Sequence, residues 1–284
     1  MKQNSKQFFL TTFLGLVLFI SGNAQVENQM ENLKKADDKD FISQPLWSIN
    51  STIYEVNLRQ YAKNSTFKSF EKEIPRLKSM GVDILWFMPI HPIGVKERKG
   101  TLGSYYAVKD YKAVSEEYGT MDDFKHMVNY AHSIGMHVII DWVANHTSPD
   151  NKWTETNPDF YTKGADGKFV PPVPDWSDVV DLNYDNKATR LAMIDAMKFW
   201  LTETKIDGFR CDVAEMVPTD FWIEARKELI TANPNLFMLA EGEKPELHAA
   251  FNMTYTWKGF GVFRKVAKGE YPARAIDDYL GEDK

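Results

Sequence analysis

An α/β fold of repeated strand–helix units is what this sequence predicts, a (β/α)8 barrel more readily than the alternative, an open doubly wound sheet. Three observations carry that expectation. From Trp47 onward, apolar β-rich runs alternate with amphipathic helical stretches, the pattern of βα units around a parallel sheet. Runs such as Ile84-Leu85-Trp86-Phe87-Met88 and Val138-Ile139-Ile140 are almost continuously hydrophobic, as parallel strands buried on both faces are. Several of these runs close on polar residues, which is where barrels place their chemistry.

Taken in order, the expected strands are Thr52–Leu58, Asp83–Pro89, His137–Ala144, Gly208–Ala214 and Leu236–Ala240, with a weaker one at Asn252–Thr256. The expected helices are Phe67–Met80, Thr120–Ile134, Lys187–Thr204 and Thr219–Ala232, with a further piece at Gly261–Lys268. Leu191, Ile194, Met197 and Leu201 recur at the three-to-four spacing of one helix face, so that stripe is expected to face the sheet. Residues 147–183 break the alternation. They are rich in Pro, Gly, Asp and aromatic residues, and a long loop at the strand's C-terminal end reads as an inserted subdomain walling a cleft.

The amino terminus is a different matter. Lys2 and Lys6 precede an apolar run from Phe8 to Ile20, followed by Ser21-Gly22-Asn23-Ala24. That is the layout of a secretory signal peptide over residues 1–24, predicting a secreted or periplasmic protein. The run is shorter than the ~20 residues of a membrane span. A stable membrane span is therefore not expected, and an uncleaved anchor is the competing reading. Residues 25–46 read as a polar, flexible leader, and 47–284 as the barrel domain. The chain of 284 residues is 43% hydrophobic and 26% charged, which suits a globular protein and excludes a disordered or fibrous one. Its net charge of −6 argues against nucleic acid as a partner. A lone cysteine, Cys211, excludes an intrachain disulfide and a multi-cysteine metal site.

The polar strand ends suggest a reaction. Arg210 and Asp212 are two residues apart, so both side chains project to one face of their strand, and the guanidinium is expected to keep Asp212 ionised. Glu241 ends the neighbouring strand. Paired carboxyl groups a few ångströms apart suit retaining glycoside hydrolysis, with Asp212 as nucleophile and Glu241 as proton donor. Plainer readings exist for each residue singly. Asp212 could be a helix cap or an ion-pair member, His146 a structural histidine and Glu241 a solvated loop residue. The ordered set at successive strand ends favours the catalytic reading.

That set resembles the α-amylase family, glycoside hydrolase family 13, over roughly residues 47–284. Asp141-Trp142-Val143-Ala144-Asn145-His146 is similar to the family's first signature, Gly208-Phe209-Arg210-Cys211-Asp212 to its second and Leu239-Ala240-Glu241 to its third. Val179-Val180-Asp181-Leu182-Asn183 resembles the signature of the inserted subdomain, and Gly103–Tyr111 with Tyr118-Gly119-Thr120 the stretch before the second helix. The resemblance implies a barrel of the α-amylase type. It also implies an O-glycosyl hydrolase that acts on α-glucosidic bonds of starch or malto-oligosaccharides. Asp212 would be the nucleophile, Glu241 the general acid and base, and Arg210 the group that orients Asp212. His146 and Tyr106 would bind the sugar ring, Tyr106 by stacking. Asn145, Asp181 and the carbonyl of Met216 would hold a structural calcium, whose preference is for oxygen. The alternatives are a glucan transferase or sugar isomerase of the same family and a non-catalytic amylase-like binding protein. A monomer is expected.

Two features depart from the family pattern. Starch amylases often carry Lys-His three and four residues after the nucleophile, where this chain has Glu215 and Met216. The family also uses a third carboxylate from a His-Asp pair at the seventh strand, and this chain contains no His-Asp pair. With about six βα units, the barrel is therefore expected to be incomplete, and the 284-residue chain by itself to be inactive.

Overall fold

The computed structural model describes residue 42 and residues 44–282. The expected export signal lies outside the described residues, as do residues 25–41 of the expected leader. Among the described residues no helix is long and apolar enough to cross a membrane.

Six parallel strands form a curled half-barrel. They are β1 (Ile53–Val56), β2 (Ile84–Phe87), β3 (His137–Trp142), β6 (Gly208–Cys211), β7 (Phe237–Ala240) and β8 (Met253–Thr254), adjacent in that order. A two-stranded antiparallel ladder of β4 (His146–Thr147) and β5 (Val180–Asp181) branches off after β3. All six expected barrel strands are present, each shorter at one end or both than the apolar run that announced it. The order β1-β2-β3-β6-β7-β8 never reverses direction, whereas an open doubly wound sheet has a switch point in its strand order.

Alternation along the strands sorts the side chains into two layers. Leu85, Phe87, Val138, Ile140, Trp142, Phe209, Cys211, Met238 and Ala240 join the large core between sheet and helices. Ile84, Trp86, Ile139, Phe237 and Leu239 form a separate cluster on the opposite face. Register places Asp141 opposite Arg210, and Arg210 opposite Leu239, so with the period of two the residues Asp141, Arg210, Asp212 and Glu241 fall on that second, inner face. The inner face thus changes from apolar to ionic on moving toward the strands' C-terminal ends.

The helices are α1 (Leu58–Tyr61), α2 (Phe67–Glu71), α3 (Ile74–Ser79), α4 (Met121–Ser133), α6 (Lys187–Glu203), α7 (Thr219–Leu229), α8 (Trp257–Ala267) and α9 (Ala275–Glu282), while α5 (Trp153–Thr156) is a single turn after β4; α2, α3, α4, α6 and α7 bury residues in the core on the sheet's outer face. Three expectations are corrected. The helix expected over Phe67–Met80 is divided into α2 and α3, because Pro75 near the start of α3 has no N–H to continue the ladder. In α6 the buried face is Met193, Ile194, Ala196, Met197, Trp200 and Leu201, while Leu191 is 63% exposed. Trp200, at a position not assigned to the stripe, supplies the bulk that rotates the helix onto the sheet. The piece expected at Gly261–Lys268 begins earlier, as α8 from Trp257, because the Thr256 side chain accepts the Gly259 N–H at 3.2 Å and caps it. The N-terminus of α4 matches expectation: Thr120 and Asp123 accept each other's backbone N–H at 3.1 Å in both directions, a reciprocal capping box.

Candidate active site

The C-terminal ends of β3, β6 and β7 converge on one guanidinium. Arg210 is 4% exposed, and its Nη1 donates to Asp141 Oδ1 at 2.9 Å, to Asp141 Oδ2 at 3.1 Å and to Asp212 Oδ1 at 3.0 Å. Its Nη2 pairs with Glu241 Oε2 at 2.8 Å and its Nε donates to the Tyr255 hydroxyl at 3.2 Å. The guanidinium also packs over the rings of Trp86, at 5.0 Å, and Tyr255, at 5.4 Å. Trp86 Nε1 donates to Asp141 Oδ2 at 3.3 Å. Arg210 is therefore held from every side, which matches its planar fork of donors and its tolerance of aromatic faces.

This arrangement corrects the expectation that Arg210 keeps Asp212 ionised. Three carboxylates share the one cation, and Asp141 takes the chelating share. Burial pushes the Asp212 carboxyl well above its ordinary value, Asp141 and Glu241 push it further, and Arg210 offsets only part. Burial likewise raises Asp141, which is fully buried, and Arg210 works against it. Crowded anions around a single positive charge favour retention of a proton within the cluster.

The turn after β6 holds Glu241 in place. Val213 has φ 36° and ψ 45°, in the left-handed region, which a β-branched residue adopts only at a cost of about 1–3 kcal/mol. In that conformation its N–H donates to Glu241 Oε2 at 2.9 Å. The following N–H, of Ala214, donates to the Glu241 carbonyl at 3.0 Å. Backbone strain is thus located at the point where a carboxylate from the next strand is received.

The other expected residues surround this centre. Tyr106 is half-buried; burial raises its phenol above the ordinary range, and the charges of Asp141, Arg210, Asp212 and Glu241 all act on it. His146 is 3% exposed, and burial lowers its imidazole to about 4, so it is neutral at physiological pH. Its ring meets Trp176 edge to face at 5.5 Å and its Nδ1 lies 3.2 Å from Asn145 Nδ2. The β4–β5 register sets His146 opposite Asp181, and the Asn145 carbonyl accepts the Leu182 N–H at 3.1 Å. Asn145 and Asp181 are therefore neighbours across the root of the insertion. Met216 lies on the short turn Ala214–Met216, with an exposed side chain.

Among the described residues, no three His, Cys, Asp or Glu side chains gather as a metal group. The donors expected for calcium are of another kind, an amide, one carboxylate and a main-chain carbonyl. Asp181 fits that role: burial raises its carboxyl, and the interaction that opposes burial is the Thr162 hydroxyl, which donates to Oδ2 at 2.6 Å. A half-buried carboxyl stabilised by a neutral hydroxyl gains from a nearby cation.

Sequence reasoning missed four contributors: Asp141 as a ligand of Arg210, the rings of Trp86 and Tyr255, and Trp176 beside His146. Asp141 was visible as the first letter of a signature, and Trp86 has the inward parity of Ile84, but Tyr255 and Trp176 reach the centre from irregular segments where no periodicity predicts direction. His137 lies away from this centre: its Nδ1 bonds Asp207 Oδ1 at 2.9 Å at the opposite end of β3, and it stacks on Trp47.

Known proteins share the sequence pattern and the fold. The sequence model of the family described as "Alpha amylase, catalytic domain" matches residues 64–166 and 174–256. An α-amylase from Lactobacillus plantarum shares 40% identity and superposes with a TM-score of 0.79, over 82% of this chain and 59% of that one. A noncanonic maltogenic α-amylase from Thermotoga neapolitana shares 42% identity at a TM-score of 0.78, over 84% of this chain and 56% of that one. An alpha-1,4-glucan:maltose-1-phosphate maltosyltransferase of Corynebacterium pseudotuberculosis is 30% identical over 197 residues, 63% of this chain and 29% of that protein. The chain thus spans under a third of that relative and somewhat over half of the two crystallised ones.

Proposed function

Because the chain belongs to the α-amylase catalytic-domain family, we propose that it carries the catalytic centre of a retaining hydrolase of α-glucosidic bonds in starch or malto-oligosaccharides. The observation that carries this reading is the convergence of Asp212 and Glu241 on Arg210, at 3.0 and 2.8 Å. Two carboxyl groups seated on one guanidinium suit the paired nucleophile and acid–base of retention, which works at a spacing of roughly 5–5.5 Å.

In the first step an Asp212 oxygen attacks the anomeric carbon and the glycosidic C–O bond breaks. Glu241 gives its proton to the departing oxygen, leaving a glycosyl ester on Asp212. Glu241, now anionic, then takes a proton from water, whose oxygen attacks the same carbon and frees Asp212. Arg210 orients both carboxyl groups. Neutral His146 hydrogen-bonds sugar hydroxyls and Tyr106 stacks on the ring. Calcium, held by Asn145, Asp181 and the Met216 carbonyl, would tie the insertion to the barrel. The export layout of residues 1–24 supports action outside the cytoplasm.

The test is release of reducing sugar from maltodextrin by the gene product containing this chain. Glu241→Gln is expected to lower that release at least about a hundredfold, since general acid–base catalysis supplies roughly 10²–10⁴. Release equal to the variant's would sink the proposal. The transferase relative supports a second reading, in which a sugar hydroxyl replaces water in the second step. Longer oligosaccharides among the products would favour it over hydrolysis.

A further inference from the structure

Glu215 stands where the sequence departs from starch amylases, and its carboxylate is engaged at the neighbouring strand end. Oε1 accepts the backbone N–H of Lys244 at 2.9 Å and that of Glu243 in a closer contact. The Lys244 ammonium reaches back to the Glu215 carbonyl at 3.5 Å. These contacts oppose the two already described, in which Val213 and Ala214 donate to the side chain and carbonyl of Glu241. The loop after β6 therefore grips Glu241, and Glu215 from the same loop grips the two residues that follow Gly242. Gly242 is the point of closest approach. A Cβ there would lie 2.4 Å from Glu215 Cγ and 2.8 Å from Leu247 Cδ1, closer than atoms can pack, so the glycine and the glutamate fit as a pair.

We propose that Glu215 is a positioning residue for Glu241. By pinning residues 243 and 244 it fixes the exit of the strand that carries the proton donor, and so the placement of that carboxyl against the leaving oxygen. The inference rests on reading Glu241 as the general acid. A displacement of about 1 Å at such a group is enough to cost up to roughly a hundredfold in rate. Lysine at this position has no acceptor to offer two backbone N–H groups, so the departure from the starch-amylase pattern exchanges a cationic side chain for a loop clasp.

The test compares two substrates in one preparation of the gene product containing this chain. Maltoheptaose needs a proton on its leaving oxygen, whereas fluoride leaves α-maltosyl fluoride without one. In Glu215→Ala and in Gly242→Ala, maltoheptaose turnover is expected to fall at least about tenfold while fluoride release in the first turnover, before Glu241 must act as base on water, stays within about threefold. Glu215→Gln, which keeps the Oε1 acceptor, is expected to hold both within about threefold of the parent. Equal losses on the two substrates, or no loss on either, overturn the inference, and fluoride release counts the correctly folded sites. A parent protein that turns over neither substrate overturns the hydrolase reading and this inference with it. A parent active on both, with variants that lose both equally, overturns this inference alone.

Discussion

At the residue scale, the centre is a problem of charge, with one guanidinium set among three carboxylates. The sequence motif announces Arg210, Asp212 and Glu241 because each ends or follows a strand in a spacing that puts it on the inner face. It does not announce that Asp141 takes the chelating contact with Arg210, since that depends on the β3–β6 register. The consequence is testable. Asp212 must be anionic to attack, and burial together with the Asp141 charge raises its carboxyl. Removing the Asp141 charge therefore lowers the Asp212 pKa and moves the acid limb of the rate profile to lower pH. For Asp141→Asn, the acid limb of kcat/KM is expected to shift down by about one unit, alongside a lower maximum. A limb that stays in place or moves up would contradict this account.

At the element scale, the outline of each strand and of most helices was legible, because burial on both faces and capping chemistry leave local marks. What was not legible is the rotation of α6, whose face is chosen by Trp200, and the break between α2 and α3. The insertion was legible as an interruption, but its β4–β5 ladder was not, since two-residue strands carry no periodicity. Gly208 shows how tightly the strands are matched. It sits opposite Ile139 and Phe237 on the inner face, and a Cβ there would come 1.7 Å from the Phe237 carbonyl oxygen. Gly208→Ala must push β7 and β6 apart. It is expected to lower unfolding free energy by about 3 kcal/mol or more in urea titration, at the upper end of overpacking costs. Unchanged stability would show that the β6–β7 contact is softer than this geometry.

At the scale of the whole molecule, β1 and β8 are the edges of the described sheet, each with one side unpaired. Closed barrels remove such edges, and an open parallel sheet invites association through them. Purified by itself, the 284-residue chain is expected to give negligible maltodextrin turnover and, in contrast to the monomer expected from the sequence, to self-associate through these edges with rising concentration, as read by light scattering. Robust hydrolysis by a monomeric preparation would overturn that expectation. The sequence alone determined the α/β class of strand–helix units and marked Asp212, Glu241 and Arg210 as candidates, because hydrophobic period, parity and short motifs are local properties of a chain. Only the tertiary structure decided how the charges are shared, that Asp141, Trp86 and Tyr255 complete the seat of Arg210, and that Glu215 accepts the Glu243 and Lys244 N–H groups across two loops. Those contacts join residues far apart in sequence, and their distances are set by register and backbone strain that no local pattern records.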